Sequence, residues 1–378
     1  MTGAASNDPG LPSRKLRFLY IQPGTSTFAG IERVVDTVCT GLAEEYGAEF
    51  DVDVLYTSVH SSFPSGPRKY NAIHRVARSR ADLLRIYRRV IGRRRYDLVI
   101  VPQVEPTVRC WFACLGRRQR FAMHLHGNPA LERMNLRSQI VFFLMRHLVL
   151  DRLGGVFGTS PRQLRAFKAM YPTNVSDFWV PNPVRQFTGI DDVVEPVARP
   201  VTFVNVGRFA HQKGQDILIR AFSQVLRDRP DVLLRLVGFG NDEANLRDLI
   251  RELGLGHAVR IEHYPTSPEI PLRSSDVFVS ASRWEGWSLA ICEALRFGLP
   301  VVSTDCDFGP SDILTDRRFG MLVPPGDEDA LADAMRYYRD NIQAEQAHAD
   351  LRRKAMDDYS AGRVVHAHAA ALRSAVGQ

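Results

Sequence analysis

The chain has 378 residues, 45% of them hydrophobic and 24% charged, with a formal charge of +7 at neutral pH. A chain of this length exceeds one ordinary core and suggests roughly two domains, and its composition is that of a folded globular protein rather than a disordered one. The longest apolar run, residues 140–150, is broken by Arg146 and His147, well short of the ~20 apolar residues a membrane-spanning helix needs.

Residues 1–15 are polar and rich in Gly, Ser and Pro, which predicts a disordered N-terminus, and without an apolar stretch they do not read as a signal peptide. Strand candidates follow at LRFLYI (16–21), FDVDVLY (50–56), YDLVIVP (96–102), RFAMHLH (120–126) and GVFGTS (155–160), with helical patterns near 31–46, 79–94, 136–152 and 161–170. This alternation predicts an N-terminal, acceptor-side Rossmann-like domain over 16–183. The stretch 184–200 is rich in Pro and Asp without a period and reads as a linker.

The second half, 201–358, is more regular. Its strands read VTFVNVG (201–207), VLLRLVG (232–238), AVRIE (258–262), DVFVSAS (276–282), VVST (301–304) and MLV (321–323). Helical patterns lie near 214–228, 242–253, 268–274, 289–297, 310–315 and 327–338. Nearly continuous apolar strands between amphipathic helices require a parallel sheet covered on both faces. The Ala-rich residues 359–378 predict a last helix that packs back on the N-terminal domain. The fold class is α/β: two Rossmann-like, doubly wound parallel-sheet domains facing across a cleft.

The charge is uneven. Between Arg68 and Arg95 there are eleven Lys or Arg against one acid, Asp82. Within it, Leu83, Tyr87, Val90 and Ile91 share a helix face and Arg85, Arg88, Arg89 and Arg93 occupy the others. Such a helix is either a domain helix with a solvated basic exterior or a dock for an anionic membrane. No aromatic residues interleave the cations for base stacking, so nucleic acid is not expected. The five cysteines, at 39, 110, 114, 292 and 306, form no C-x-x-C pair and read as buried free thiols in a reducing compartment.

In open parallel sheets, ligands bind beyond the C-terminal strand ends. The loops there exclude two nucleotide chemistries. GFGNDE (238–243) has Glu243 where a dinucleotide fingerprint needs its third glycine, and GRFAHQKG has its lysine before the glycine rather than in P-loop order. What GRFAHQKG offers is two cations, Arg208 and Lys213, the latter just before a helix N-terminus, an arrangement suited to a diphosphate. In RWEGWSLAICEALRFG (283–298), Glu285 precedes a helix for which Ser288 is a candidate N-cap, and Glu293 lies within that helix. Two acceptor-only carboxylates suit the hydroxyls of an elongated polyol; spacing alone favours one solvated loop glutamate and one on a helix flank.

VGRFAHQKG, LVGFG, the E-x7-E of EGWSLAICE, GLPVVSTD and LVPPGD occur in that order. Together they resemble the donor domain of retaining family-4 glycosyltransferases (glycosyl transferases group 1), which have the GT-B fold. The resemblance covers about 200–340. It is weaker in the first half, where FAGIERVV (28–35) resembles the family's glycine loop, HLHGN (124–128) its histidine loop and VPNPV (180–184) its hinge entry. Ala29–Gly30 stands where paired glycines are frequent, and Trp287 where Phe is.

The resemblance implies that Arg208 and Lys213 hold the diphosphate of a nucleotide-sugar and stabilise it as leaving group. It assigns Glu285 to the transferred sugar, Glu293 to the ribose and His126 to the neighbourhood of the sugar, although a lone histidine in a satisfied core reads the same way. Gly30, Gly238, Tyr264 and the backbone of Gly286, Trp287, Ser288 and Leu289 complete the implied donor-binding set. No metal is expected: His124 and His126 have no further ligands, and the Asp pairs 51/53 and 305/307 are weak signals. No cofactor is expected beyond the substrate itself.

The implied function is a retaining, metal-independent transfer of a hexose from a nucleotide-diphosphate sugar, UDP-sugar first and GDP-mannose next. The acceptor is a hydroxyl of a glycan or lipid-linked molecule in cell-surface polysaccharide or glycolipid biosynthesis. The implied location is cytoplasmic, peripheral on the inner face of the membrane. The alternatives are a nucleotide-sugar epimerase on the same fold, or a non-catalytic sugar-nucleotide-binding subunit.

Overall fold

The computed structural model describes residues 14–22, 30–59, 66–128, 130, 136–187, 199–264 and 267–377. The N-terminal residues 1–13, the start of the glycine loop at 28–29 and linker residues 188–198 lie outside them.

The first sheet has seven parallel strands: Leu16–Ile21 (β1), Phe50–Tyr56 (β2), Asn71–His74 (β3), Leu98–Pro102 (β4), Phe121–Leu125 (β5), Leu153–Gly158 (β6) and Asp177–Trp179 (β7). Their order is β3-β2-β1-β4-β5-β6-β7. The central strands are buried along nearly their whole length, as in LVIVP of β4 and FAMHL of β5, because helices cover both faces. β3 and β7 are absent from the strands expected of the sequence. Both are edge strands of three or four residues with no fully buried side chain, so neither has the apolar run by which a strand is recognised.

Two helices of this half also differ from expectation. Val104–Ala113 is a helix with Pro106 in its first turn, where a missing N–H costs nothing. The single helix expected over 136–152 is instead an α-helix, Leu136–Leu144, then a π-helical turn, Met145–Val149, and a 3-10 turn, Leu150–Arg152. The π turn buries Met145 and Val149 while Arg146 and His147 stay outside.

The second sheet has six parallel strands: Val201–Val206 (β8), Val232–Val237 (β9), Val259–Glu262 (β10), Val277–Ser280 (β11), Val301–Thr304 (β12) and Gly320–Val323 (β13), in the order β10-β9-β8-β11-β12-β13. The strand order therefore reverses between β8 and β11, which places the loops after these two strands side by side. The helix beginning at Glu328 runs on to Gln346, past a non-helical Asn341. The final helix, Ala361–Gly377, crosses back to the first domain and lies against helix Gly30–Glu45, where Gly41 leaves room for Val365. All five cysteines are buried and free.

Candidate functional site

The loop after β8 turns through a short 3-10 segment, His211–Lys213, into helix Gln215–Asp228. Gly214 makes the turn with φ +62°, and a Cβ there would collide with the carbonyl of Ala281 at the end of β11. Only glycine permits both the conformation and the approach. Lys213 is thereby delivered to the loop after β11, where its Nζ lies 2.6 Å from Glu285 Oε1. Gln212 fastens the same two loops by donating to the Trp284 carbonyl at 3.0 Å and accepting from Arg283 N–H at 2.8 Å. Arg208 behaves differently: it is exposed, with Gln212 Oε1 at 3.5 Å. Of the two cations read as a pair, one is held by a carboxylate and one faces open space.

Glu285 is 4% exposed. Its Oε1 accepts from Lys213 and from Ser282 Oγ at 2.7 Å, and its backbone N–H donates to the Asp307 carbonyl at 3.3 Å. A buried carboxylate so bound is fixed in direction. The next residue, Gly286, meets the first domain: a Cβ there would strike the His126 carbonyl, and Thr159 Oγ1 donates to the Gly286 carbonyl at 3.3 Å. Trp287 is buried in the donor-domain core, its ring 5.2 Å from that of Tyr359, so only its backbone is placed to meet a ligand. Ser288 is at the N-cap position of helix Leu289–Arg296 but makes no capping bond with its side chain, contrary to expectation. Leu289 Cδ1 stands 3.9 Å from the position a Gly30 Cβ would take, so the N-terminal ends of helices Gly30–Glu45 and Leu289–Arg296 nearly touch.

His126 follows β5, and burial lowers its imidazole to about 4. It is therefore neutral near pH 7. Its ring stands with two others: His124 at a centroid distance of 4.0 Å, and beyond it His368 of the last helix, 5.7 Å from His124. Burial lowers His124 well below the usual range and His368 to about 3.

Glu293 is 8% exposed, with Arg185 Nε 3.5 Å from its Oε1. Burial raises its carboxyl, and Arg185 and Arg33 work against that rise. Arg33 belongs to helix Gly30–Glu45, so both domains supply charge at this point. Gly238 supports the site indirectly, since a Cβ there would collide with the Gly207 carbonyl beside Arg208. Tyr264 packs against the donor-domain core with its hydroxyl 3.5 Å from Arg235.

Further side-chain contacts close the seam or brace the loops beside it. Asn128 Nδ2 donates to Asp307 Oδ2 at 2.9 Å, Ser160 Oγ to Asp312 Oδ2 at 2.6 Å, and Gln163 Nε2 to the Gly127 carbonyl at 2.7 Å. Gln103 has φ +64° and ψ 170°, a conformation otherwise left to glycine, and its N–H donates to the His124 carbonyl at 2.9 Å while its Oε1 accepts from His126 N–H at 3.4 Å. Phe308, at φ +60°, is the other non-glycine residue of positive φ among the described residues, and the following Gly309 lies against the backbone of Trp287 and Ser288. Among the described residues, no three His, Cys, Asp or Glu side chains converge to hold a metal ion.

Two parallel-sheet domains that meet at the C-terminal ends of their strands define the GT-B architecture. The chain superposes on sucrose-phosphate synthase of Thermosynechococcus elongatus with a TM-score of 0.79 at 17% identity, over 95% of this chain and 98% of that one. For Anabaena HepE in complex with UDP and glucose the TM-score is 0.75 at 18% identity, over 95% and 100%. Residues 190–355, the donor-side part of the chain, match the family model for glycosyl transferases group 1. An uncharacterized glycosyltransferase of Methanocaldococcus jannaschii is 34% identical over 169 residues, 41% of each chain. A GDP-mannose-dependent α-(1-6)-phosphatidylinositol monomannoside mannosyltransferase of Mycolicibacterium smegmatis is 30% identical over 234 residues, 58% of each. The chain spans less than half the length of the first curated relatives it matches.

Proposed function

We propose that the chain transfers a hexose from a nucleotide-diphosphate sugar to a hydroxyl of a glycan or lipid-linked acceptor, with retention at the anomeric carbon and without a metal ion. The observation that carries this is the Lys213–Glu285 pair, 2.6 Å apart at the point where the strand order reverses. A cation suited to phosphate and a carboxylate suited to sugar hydroxyls thus stand side by side, with the exposed Arg208 in the same loop. As the glycosidic bond breaks, negative charge grows on the diphosphate, and Arg208 and Lys213 stabilise it there. Glu285, tied by Lys213 and Ser282, serves as a fixed acceptor for sugar hydroxyls rather than as a nucleophile. The acceptor hydroxyl then attacks from the face of the departing phosphate, which takes its proton. Neutral His126 stands at the opposite wall, and Glu293 is assigned to the ribose.

UDP-sugar is the first choice of donor, in keeping with HepE in complex with UDP and glucose and the pneumococcal O-GlcNAc transferase in complex with UDP and GlcNAc. GDP-mannose is second, in keeping with the mycobacterial relative. The basic segment 68–95 is assigned to peripheral contact with an anionic membrane; among the described residues no helix is long and apolar enough to cross one. The test is thermal unfolding with UDP or GDP. A nucleotide at 100 times its Kd stabilises by ~2.7 kcal/mol, and no shift with either would overturn the reading.

A further inference from the structure

Outside the interdomain site, the first domain has a cavity of about 220 Å³ between edge strand β3 and the helix Arg80–Arg93. Ile86, Arg89, Val90 and Arg93 line it from the helix, at the i, i+3, i+4 and i+7 positions of one face. Ile73 and Arg75 line it from β3 and its end, and Asn71, Arg94 and Tyr96 close it. Four arginines therefore ring an apolar floor. Arg89 and Arg93 are exposed and have no ion pair among the described residues.

The wall is rigid for an unexpected reason. Asp53, 1% exposed within β2, accepts from Tyr96 Oη at 2.5 Å, Asn71 Nδ2 at 2.9 Å and Arg94 Nη1 at 3.3 Å. Three of the lining residues are thus oriented by one buried carboxylate, with Arg94 as its cationic partner. The cavity is left cationic and built in advance. Arg93, Arg94 and Tyr96 precede β4, so this mouth lies toward the N-terminal strand ends, away from the cleft.

We propose that this cavity seats the phosphate of an anionic phospholipid headgroup, with Arg89 and Arg93 on the phosphate oxygens and the glycerol and acyl stem over Ile73, Ile86 and Val90. The proposal rests on the membrane contact assigned above to segment 68–95 and narrows it from a diffuse basic surface to one headgroup site. The apolar floor is what favours a lipid over a free phosphate ester, which gains nothing from it.

Flotation of the full chain with phosphatidylcholine vesicles containing phosphatidylglycerol tests it, beside pure phosphatidylcholine vesicles. The wild type is expected to float only with the anionic vesicles, and R89A/R93A to bind them roughly 30-fold more weakly. The control R80A/R85A removes as much charge from other faces of the same helix and should lose much less. Equal losses in the two double variants would mean diffuse attraction and overturn the headgroup site while sparing the membrane contact. Failure of the wild type to float would overturn both, as would saturation by soluble glycerol phosphate without vesicle binding. The nucleotide response of the donor site is read separately and is independent of each outcome.

Discussion

Lys213 Nζ and Glu285 Oε1 are 2.6 Å apart although 72 residues separate them in the chain. The contact joins the first loop of the donor domain to the turn that faces the other domain. It makes each residue's role depend on the other: the lysine can turn to a phosphate only while the carboxylate keeps Ser282 Oγ at 2.7 Å. E285Q preserves shape and both bonding partners, so we expect a Tm close to wild type and a roughly 100-fold loss of sugar transfer. Near-full activity in E285Q would remove Glu285 from the sugar. K213M leaves the buried carboxylate with one partner fewer and should cost about 2–3 kcal/mol in urea unfolding.

Gly286 is a point of close backbone approach between the domains, its α-carbon facing the His126 carbonyl. G286A inserts a methyl group where backbone already stands. We expect the seam to open while each domain core holds. Thermal unfolding should split or broaden, proteolysis near 183–200 should accelerate, and transfer should be lost. An unchanged unfolding curve with full activity would show that the two loops do not meet in solution.

Gln103 holds a φ of +64° that costs a non-glycine residue of order 1–3 kcal/mol. Q103G relieves that strain and also removes the acceptor for the His126 N–H. The expected result is a higher Tm with weaker transfer. A higher Tm with unaltered transfer would mean that Gln103 does not position the histidine loop.

The three histidines set a pH dependence. Burial lowers His126 to about 4, His368 to about 3, and His124 in the same direction. Below pH 6.5 the unfolded chain takes up these protons first, so stability present at neutral pH is lost as pH falls toward the folded values. Each histidine contributes a slope of roughly 1.4 kcal/mol per pH unit over that window. Urea midpoints at pH 8, 6.5 and 5 measure it. H368L should flatten the slope by about one histidine's share, and an equal slope in the variant would show His368 to be hydrated.

The long central strands, most of the helices that follow them and the residues at the strand ends were legible in the sequence, but helix Val104–Ala113 after β4 was not. Apolar runs such as LVIVP and VVST leave no other place than the middle of a covered sheet. Cations and glutamates just beyond such strands must then line the mouth of the cleft. The short edges β3 and β7 were not legible, because three or four half-exposed residues become a strand only by pairing with a neighbour already in place. The π turn at Met145–Val149 likewise follows from burying Met145 and Val149 while keeping two polar side chains outside.

What the sequence determined by itself is the alternation that makes two doubly wound domains, and the set of side chains presented at their facing ends. Tertiary structure decided what those side chains do to one another. It turned Trp287 into the core, gave Lys213 to Glu285 and Arg185 to Glu293, and left Arg208 in the open. Periodicity is a property of neighbours along the chain, and residues a few positions apart suffice to express it. An ion pair depends on where two distant loops are brought, and here that was decided by the reversal of strand order between β8 and β11.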